Sequence, residues 1–568
     1  MKILSLHCDY IKFKPLKKAL REPEELSEER KKEVGVKEPL VIMIAVEKAD
    51  EKNPNIIKTI TEEIQKIAEQ VKAKNIVLYP YAHLSPSLSA PKFAQSTLEK
   101  ADKELSKLKY EVIRAPFGYY KEFELKVKGH PLSELSRDLK FEGEYDGEGD
   151  KAEEPDYKQL LREVSKSKLD SRKLKDNDHR ILGQQMDLFS FNETAPGMVF
   201  WHNNGLIIRN QLIDLWQQEH RRAGYKEIKT PQILDKKLWL ISGHWEKFRE
   251  NMFMTNYEKK DFAVKPMNCP GGMFVYKASP KSYKDFPLKV GELGEVHRQE
   301  LSGVLGGLFR VIQFTQDDAH IFCTEKQVEK ELSNVIELIE KFYKLFGFEY
   351  RVELSTRPEK RIGDDKVWDK AEAVLEKVLK TKKIKFKINP GDGAFYGPKI
   401  DFHIKDSLDR EWQCGTLQLD FSMPERFDIS YIDKDNKSKR PVMLHRTIYG
   451  SLERFMGILL EHYKGHLPTW LAPIQVRIIN YTDRNNNACE DLLNKLRLQD
   501  IRTDIDLASE PIGGKIKQAE MEKIPVILVL GDREEENKTI AVRRNGKVEN
   551  IKRDLFIQQI KEEIDNKE

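Results

Sequence analysis

Cysteine is scarce in this chain. Only five of its 568 residues are cysteine, and they are odd in number and widely scattered, so a disulfide framework is not expected. Long apolar runs are missing too, since stretches such as residues 41–46 and 526–530 are far shorter than the ~18 residues of a membrane span. His7, Cys8 and Asp9 interrupt any secretory hydrophobic segment. These absences predict a cytoplasmic protein without a membrane-spanning segment.

Charge of one sign is not in large excess either. The net charge is only +4, which permits nucleic-acid binding through local patches without requiring it. At ~100–200 residues per domain, a chain of this length should contain about three to five domains. No internal repeat is evident.

Hydrophobic patterning divides the chain into the segments 1–143, 144–178, 179–470 and 471–568. In the first, strand-like runs at 41–46 and 76–79 enclose a stretch with helical spacing, which predicts an α/β domain. Residues 142–156 are rich in Gly, Glu and Asp and are predicted to form a linker. Residues 157–180 are charged, and we expect a helical lead-in there.

The two later segments predict an α+β domain followed by a small α/β domain. A helical pattern through Leu206, Leu212 and Trp216 precedes an extended stretch at 225–231. The last segment alternates strand and helix, which predicts a mixed sheet. Its predicted elements are strands at 476–481, 503–507, 526–530 and 539–542, and helices at 491–498, 512–523 and 551–564.

One short region concentrates residues with distinctive chemistry. It contains, in chain order, Cys269, Arg298, Arg310, Asp317, Asp318 and His320. Thiolate and imidazole suit zinc, and guanidinium binds two phosphate oxygens at once. The region therefore indicates a nucleotide-using enzyme. Taken singly, such residues are more often core or salt-bridging side chains, and no zinc-finger spacing joins Cys269 to His320 or His445.

Four sequence motifs resemble the catalytic domain of the threonyl-tRNA synthetase family, which belongs to the class II aminoacyl-tRNA synthetases. They are Met-Asn-Cys-Pro-Gly at 267–271, Glu-Val-His-Arg-Gln-Glu at 295–300, Phe-Thr-Gln-Asp-Asp-Ala-His at 314–320 and Gly-Ser-Leu-Glu-Arg-Phe at 450–455. The resemblance implies an antiparallel-sheet core, with Arg298 and Arg310 in motif 2 and Arg454 in motif 3. Residues 225–231 and the preceding helix would form motif 1 and a homodimer interface.

The resemblance also implies the ligands of this core. Arg298 and Arg310 would bind ATP phosphates, Glu300 would face the adenine, Arg454 would cover the distal end of a bent ATP, and Mg²⁺ would accompany the nucleotide. One zinc per subunit would be held by three ligands, which are Cys269, His320 and His445.

The amino acid implied is L-threonine, whose amino group and hydroxyl would occupy the open zinc positions. Asp318 would pair with its ammonium group. The surrounding pocket would be lined by Met267, Gln316, Tyr396, Lys399 and Gln418, with Lys399 among the catalytic residues. The chain departs from the family at Gly272, where members commonly carry His, and in the loop at 304–307, which reads Val-Leu-Gly-Gly. Both departures concern contacts with tRNA(Thr) rather than the ligand set.

A second active site is expected on physical grounds. Serine differs from threonine by one methyl group, which supports only ~10–200-fold discrimination, so seryl-tRNA must be hydrolysed. Residues 1–143 resemble the editing domain of archaeal-type members of the family, itself similar to D-aminoacyl-tRNA deacylases, in the texts at 79–84, 115–121 and 129–134. The resemblance implies that an ester, a water and the ribose 2′-hydroxyl are positioned by His83, Tyr120, Lys121 and Glu134. A fold-stabilising polar contact is the alternative for each.

Residues 471–568 resemble the anticodon-binding domain that several class II synthetases share. The matching texts are Ile-Gly-Gly-Lys-Ile at 512–516 and Val-Leu-Gly-Asp-Arg-Glu at 529–534. Glu534 and Arg543 match positions that contact anticodon bases, and both side chains suit base edges. Charged residues on a terminal domain are often simply solvated, so that alternative stays open.

Two functions from other classes also remain open. The chain could be an RNA-binding regulator built on a synthetase scaffold, although retention of all three arginines and all three zinc ligands argues against it. It could also be a deacylase acting in trans with an inactive ligase core. Threonine-dependent pyrophosphate exchange separates these alternatives from an ATP-dependent ligase.

Overall fold

A computed structural model describes residues 1–139, 161 and 174–567, apart from residues 21, 86, 259 and 407–409. The chain divides into two compact units, Met1–Glu154 and Pro155–Glu568. The linker predicted at 142–156 and most of the lead-in predicted at 157–180 lie outside the described residues, and the predicted boundaries at 143, 178 and 470 stay predictions. Within the described part of the chain, no helix is long and apolar enough to cross a membrane.

The first unit contains one seven-stranded sheet. Its strands are β1 (Lys2–Lys18), β2 (Val34–Lys37), β3 (Pro39–Ala45), β4 (Asn75–Pro80), β5 (Glu111–Arg114), β6 (Tyr119–Val127) and β7 (Glu134–Asp138). The strand order is β2-β1-β3-β4-β5, and β6 and β7 also pair with β1. Two helices, α1 (Ile56–Val71) and α2 (Pro91–Lys107), accompany the sheet. The strands and the helix predicted between residues 41 and 79 are confirmed.

Alternation along β3 explains why this strand is apolar throughout. Ile42 and Ile44 belong to the core that contains Ile60 and Ile64 of α1. Val41 and Met43 belong to a second core, because successive side chains of a strand point to opposite faces. A strand that is buried on both faces reads as a continuous hydrophobic run.

The larger part of the second unit is an α+β domain. Its strands are β8 (Phe189–Ser190), β9 (Phe200–Trp201), β10 (Lys226–Glu227), β11 (Ile233–Asp235), β12 (Met254–Tyr257), β13 (Lys260–Val264), β14 (Leu288–His297), β15 (Gln313–Cys323), β16 (Tyr350–Ser355), β17 (Phe386–Asn389), β18 (Lys399–Lys405), β19 (Glu411–Asp420), β20 (Tyr431–Ile432), β21 (Ser438–Lys439) and β22 (Val442–Thr447). Its helices are α3 (His179–Gln185), α4 (Asn203–Arg222), α5 (Lys236–Ser242), α6 (His244–Lys247), α7 (Cys269–Lys277), α8 (Val328–Leu345), α9 (Asp365–Thr381), α10 (Ser422–Arg426) and α11 (Leu452–His462).

An eight-stranded sheet forms the centre of this domain. Its order is β10-β14-β15-β22-β19-β18-β16-β17. The inner pairs from β14 to β16 are antiparallel, and only the outer strands β10 and β17 pair in parallel. The antiparallel core expected from the resemblance is confirmed. The strand, loop, strand of motif 2 is β14 to β15, and the strand and helix of motif 3 are β22 and α11.

The C-terminal part of the chain folds around a mixed sheet, as predicted, but the sheet has five strands where the sequence predicts four. Its strands are β23 (Val476–Asn480), β24 (Thr503–Asp506), β25 (Val526–Leu530), β26 (Thr539–Arg544) and β27 (Lys547–Lys552). Its helices are α12 (Asn486–Arg497), α13 (Ile512–Met521), α14 (Asp532–Glu536) and α15 (Arg553–Asn566). The strands β24, β23 and β25 are parallel, whereas β26 and β27 are antiparallel additions.

The sequence-based assignment of the last helix began too early. A helix was predicted at 551–564, but residues Lys547–Lys552 form β27, and helix α15 begins only at Arg553. Polar side chains and an exposed edge position concealed this strand. Asn545 and Gly546 both have positive φ, at 48° and 76°, and an Asn-Gly pair with this geometry is a strong hairpin signal.

Candidate active site

Three side chains of metal-ligating types meet in the second unit. Cys269 is the first residue of α7, His320 lies on β15, and His445 lies directly opposite His320 on β22. One ligand atom from each residue lies within 4.8 Å of the other two, and all three residues are buried. Helix and sheet geometry therefore bring the three predicted zinc ligands together.

The surroundings of this trio fit a zinc ion. The Nε2 atom of His445 lies 2.7 Å from Oδ2 of Asp420, which leaves Nδ1 available, and a carboxylate behind a ligating histidine is common in zinc sites. The Nε2 atom of His320 is buried without a hydrogen-bond partner among the described residues. Burial raises the pKa of the Cys269 thiol well above its usual value, so a thiolate there requires a cation.

A cavity of about 270 Å³, the first cavity, opens beside the trio. Cys269 and His445 line it, together with predicted amino-acid residues, which are Met267, Gln316, Asp318, Tyr396 and Gln418. The Tyr396 hydroxyl donates to Oε1 of Gln418 at 3.0 Å. Asn268 donates to Oδ2 of Asp318 at 3.3 Å, while burial raises the pKa of that carboxyl group. Metal ligands, a carboxylate and an amide around one small cavity suit a small polar amino acid.

A second cavity, of about 280 Å³, adjoins the first. All four predicted ATP residues line it, namely Arg298, Glu300, Arg310 and Arg454. The two cavities share lining residues, which are Arg298, Gln316, Gln413, Thr416 and Thr447. A ligand in one cavity would therefore contact a ligand in the other, as joining two substrates requires.

The guanidinium groups of the second cavity are held in place by the protein. Arg298 donates from Nε to the carbonyl oxygen of Pro266 at 3.1 Å. Arg310 lies 2.8 Å from Oε2 of Glu300. Arg454 donates from Nε to the carbonyl oxygen of Phe309 at 3.0 Å. Burial lowers the pKa of Arg298, yet an arginine stays charged in proteins, so each of the three groups remains cationic.

Lys399 lines neither cavity. It lies opposite Gln418 in the register of β18 and β19, so the two side chains share a face of the sheet. Its Nζ atom is 2.7 Å from Oδ2 of Asp401 and 3.1 Å from Oδ2 of Asp392. Lys399 therefore lies beside Gln418, a lining residue of the first cavity, and is paired with two aspartates.

Two buried carboxyl groups support the start of α11, where Arg454 lies. Asp317 accepts the backbone N–H groups of Ile448 and Gly450 at 2.8 and 2.9 Å. Glu453 accepts the N–H of Thr315 at 2.9 Å. Burial raises the pKa of Asp317 to about 6 and that of Glu453 to about 7. These contacts join β15 to the segment that presents Arg454.

Sequence reasoning missed three residues that line both cavities, which are Gln413, Thr416 and Thr447. Thr416 and Gln418 alternate along β19, and Thr447 is the cross-strand partner of Thr416 on β22. Polar residues two apart in an otherwise apolar strand were a usable signal, because they must share one face. Gln413 carried no comparable signal.

The first unit contains a larger cavity of about 510 Å³. Its lining is mainly apolar and aromatic, and it includes three predicted editing residues, which are His83, Tyr120 and Lys121. Glu134 is not among the lining residues; it is exposed at the start of β7 and is paired with Leu6. Three of the four predicted residues are therefore brought together and the fourth is not.

Lys121 is the charged group of this cavity. Its Nζ atom donates to the carbonyl oxygens of Pro116 and Tyr119, both at 3.1 Å, and lies 5.0 Å from the centre of the Tyr79 ring. Burial lowers its pKa to about 8. Its ammonium group is therefore fixed in direction and readily deprotonated.

The predicted anticodon residues lie on neighbouring elements. Glu534 is in α14, where its Oε2 atom accepts the N–H of Gly531 at 3.1 Å, and Arg543 is on β26. The helix α14 packs against β26. The two residues therefore lie on elements that contact each other in the C-terminal part of the chain.

Comparison with known proteins identifies three regions. Residues 1–139 match the Archaea-specific editing domain of threonyl-tRNA synthetase. Residues 252–463 match the class II core domain of tRNA synthetases for G, H, P, S and T. Residues 475–563 match an anticodon binding domain.

Individual relatives have related names. The threonine--tRNA ligase of Natranaerobius thermophilus is 54% identical over 394 residues, which are 69% of this chain and 62% of that protein. The threonine--tRNA ligase of Clostridium botulinum strain Hall is 53% identical over 411 residues, 71% of this chain and 65% of that protein. This chain thus spans less than two thirds of the length of these relatives. A crystal structure described as the RNA binding domain of threonyl-tRNA synthetase from Cryptosporidium parvum Iowa II has 36% identity and a TM-score of 0.65, and the match covers 68% of this chain and 98% of that one.

The antiparallel sheet, its two adjoining cavities and the match over residues 252–463 define a class II aminoacyl-tRNA synthetase core. The editing-domain match and the solved relative narrow this class to one family. The chain belongs to the threonyl-tRNA synthetases.

Proposed function

We propose that this protein ligates L-threonine to tRNA(Thr) in an ATP-dependent reaction through threonyl-adenylate, and that its first unit hydrolyses mischarged seryl-tRNA(Thr). One observation carries the proposal. Two adjoining cavities share Arg298 and Gln316, and one is bordered by a zinc-type trio while the other is lined by three arginines. Amino-acid recognition and phosphate binding therefore meet in one place.

The chemistry of activation follows from the cavity residues. Asp318 binds the threonine ammonium group in the first cavity, and Arg298, Arg310 and Arg454 bind the triphosphate in the second. The threonine carboxylate then attacks the α-phosphorus of ATP in line, which forms the adenylate and releases pyrophosphate. A hydroxyl of the terminal tRNA adenosine next attacks the acyl carbon of the adenylate, which forms the ester to tRNA and releases AMP. The protein acts by positioning and charge rather than by covalent chemistry.

Two metal ions complete the proposal. Cys269, His320 and His445 would hold one zinc per subunit, and a zinc with three protein ligands acts as a Lewis acid that can bind an amino group and a hydroxyl. Mg²⁺ accompanies ATP as its counter-ion. A zinc ion held there would favour threonine over valine, because valine has no hydroxyl group that could bind the metal.

The proposed partners are tRNA(Thr) and a second copy of the chain. Glu534 and Arg543 suit cytosine and guanine edges of an anticodon. The motif 1 helix α4 exposes Leu206, and Ile233 farther along the chain is also exposed, which supports a homodimer interface there. We propose that the reaction takes place in the cytoplasm, where both tRNA and ATP are available.

Threonine-dependent exchange of pyrophosphate into ATP tests the proposal. We expect exchange with threonine, little with serine and none with valine. If no exchange occurs, an RNA-binding regulator or a deacylase acting in trans would be the better-supported function.

Arg298 should tolerate no substitution, even by lysine. The change Arg298→Lys keeps the charge but loses the paired donors of guanidinium, so we expect activation to fall by about tenfold to hundredfold, the effect of one charge-assisted hydrogen bond. Initial rates of pyrophosphate exchange measure the loss, and the unfolding temperature should stay near that of the parent protein.

A matched variant in the same sheet serves as the control. Arg351 on β16 pairs with Glu411 at 2.6 Å and lines neither cavity, so Arg351→Lys should leave exchange unchanged. Near-normal exchange by Arg298→Lys would remove Arg298 from the ATP site.

The hydrolytic activity should depend on pH through Lys121. Its pKa is lowered to about 8, so the ammonium form that can position the ester is present below that pH and is lost above it. After subtraction of spontaneous hydrolysis, serine release from seryl-tRNA(Thr) should fall as pH rises from about 7 to about 9. The variant Lys121→Arg retains the charge and should remove this fall. A rate that rises through the same range would instead identify the neutral amine as the active form.

A further inference from the structure

A buried histidine connects helix α11 to the backbone turn that precedes Arg310. His179, the first residue of α3, is 1% exposed. Its Nδ1 atom lies 2.8 Å from Oε1 of Glu461, and its Nε2 atom accepts the backbone N–H of Leu308 at 3.0 Å. A ring nitrogen that accepts an N–H carries no proton. The proton is therefore on Nδ1 and is donated to Glu461, so both nitrogens are engaged and the tautomer is fixed.

This cluster resembles a metal site in composition but not in bonding. Asp178, His179 and Glu461 offer atoms within 4.8 Å of one another. Asp178, however, accepts hydrogen bonds from the backbone and guanidinium of Arg180. Glu461 accepts from Nη2 of Arg410 at 2.9 Å, so its charge is already paired. The cluster is therefore a hydrogen-bonded support. Through His179 it accepts the backbone N–H of Leu308.

The hydrogen bond between Leu308 and His179 holds a tight turn of the backbone. Residues Gly307–Phe309 form one turn of 3-10 helix immediately before Arg310. Gly307 has φ of +57°, and a Cβ atom there would lie 2.2 Å from Nε2 of His179. Only glycine allows the turn to approach the imidazole this closely.

The motif 3 helix reaches this turn from two positions. Arg454, in the first turn of α11, donates to the carbonyl oxygen of Phe309 at 3.0 Å. Glu461, near the end of α11, acts on the N–H of Leu308 through His179. The Phe309 ring packs edge-on against the His179 ring, with 4.3 Å between the ring centroids, and stacks on the Trp412 ring, with 4.5 Å between the centroids. The backbone before Arg310 is thus held at the N–H of Leu308, at the carbonyl oxygen of Phe309 and through the Phe309 ring.

We infer that His179 is a positioning residue for ATP, because it fixes the Leu308 amide and thereby the direction in which Arg310 enters the second cavity. The inference rests on the proposed function, in which ATP occupies that cavity. His179 lines neither cavity and acts only through the backbone of residues 308–310. The Arg310 side chain is 50% exposed and its guanidinium pairs with Glu300 at 2.8 Å. That ion pair orients the guanidinium, while the backbone of residues 308–310 fixes the point from which the side chain starts.

Two substitutions separate the two nitrogens of His179. His179→Gln places an amide near the former Nε2 position and can still accept the Leu308 N–H, whereas His179→Asn places one near Nδ1 and can only replace the bond to Glu461. We expect His179→Asn to raise the KM for ATP about tenfold, the effect of one lost buried hydrogen bond. His179→Gln should stay within about threefold of the parent protein. The KM for threonine should not change in either variant.

A control and a second route make the test decisive. His462→Gln removes an imidazole from α11, the helix that carries Glu461. His462 packs on Phe348 rather than on the turn, so this variant should leave both KM values unchanged. Gly307→Ala pushes on the Nε2 side of His179 from the turn and should raise the KM for ATP in the same way. If the unfolding temperature shows that His179→Asn does not fold, Gly307→Ala tests the inference in its place.

The outcomes are distinct. An equal rise in the KM for ATP in the Asn and Gln variants would overturn the inference, because ring volume rather than the Leu308 bond would then matter. An unchanged KM for ATP in folded His179→Asn or in Gly307→Ala would overturn it as well. Failure of the parent protein to exchange pyrophosphate would instead reject the proposed function itself.

Discussion

Replacing Cys269 with alanine should abolish threonine activation. The three ligand atoms come from three elements and lie within 4.8 Å of one another, so a pair of ligands would remain, too few for a stable zinc site. We expect Cys269→Ala to contain less than about one tenth of the zinc of the parent protein and to exchange no pyrophosphate above background. His445→Ala should behave in the same way. Zinc content and exchange are measured on the same preparations.

The control for this loss is another buried cysteine, on the strand that carries His320. Cys323 lies on β15, the strand that carries His320, and is fully buried in the core, but it lines neither cavity. Cys323→Ala should keep its zinc and its exchange while losing some stability from the vacated volume. If a zinc-free Cys269→Ala protein still activated threonine in preference to valine, the metal would not be the discriminator.

The three side chains of metal-ligating types could be predicted from the resemblance, since Cys269 and His320 lie inside two of the motifs that carry it. The pairing of β15 with β22 then brings His320 and His445 face to face. Thr447 has no such local motif. It reaches the cavities because it pairs with Thr416 on the neighbouring strand. The register between two strands cannot be deduced from the sequence of either strand alone.

The support behind Arg310 was beyond sequence reasoning for a similar reason. His179 and Glu461 are separated by 282 positions, and neither stands in a pattern that marks chemistry. Their contact depends on how α3 and α11 pack together. The exposed position of Glu134, outside the cavity that contains Lys121, likewise follows from strand pairing with β1 rather than from its local text.

Replacing Lys121 with methionine should let seryl-tRNA(Thr) accumulate while threonylation continues. The ligase cavity can reject serine only through one missing methyl group, worth ~10–200-fold, so hydrolysis must supply the rest. Methionine keeps the length of the lysine stem but removes the ammonium group held by Pro116 and Tyr119. We expect serine release from preformed seryl-tRNA(Thr) to fall about a hundredfold, and deletion of residues 1–143 should have the same effect.

Lys126 provides the matched control on the same strand. It is exposed and paired with Asp9 at 3.0 Å, outside the cavity, so Lys126→Met should release serine at the parent rate. Rapid release by Lys121→Met would mean that the cavity of the first unit is not the editing site, whereas loss of threonylation in that variant would indicate a wider structural defect.

The tRNA itself should supply part of the hydrolytic machinery. Among the described residues, the lining of the first unit's cavity includes His83, Lys121, Ser89 and four tyrosines but no cysteine, and none of its residues belongs to a metal-type cluster. The described lining therefore offers neither a thiol nor a metal-type cluster to activate the water there. A ribose 2′-hydroxyl next to an ester on the 3′-oxygen can hold or activate the attacking water. Replacing that hydroxyl with hydrogen, with serine on the 3′-oxygen, should therefore slow hydrolysis by the parent protein about as much as Lys121→Met does. Unchanged serine release from the deoxy substrate would mean that the protein alone activates water.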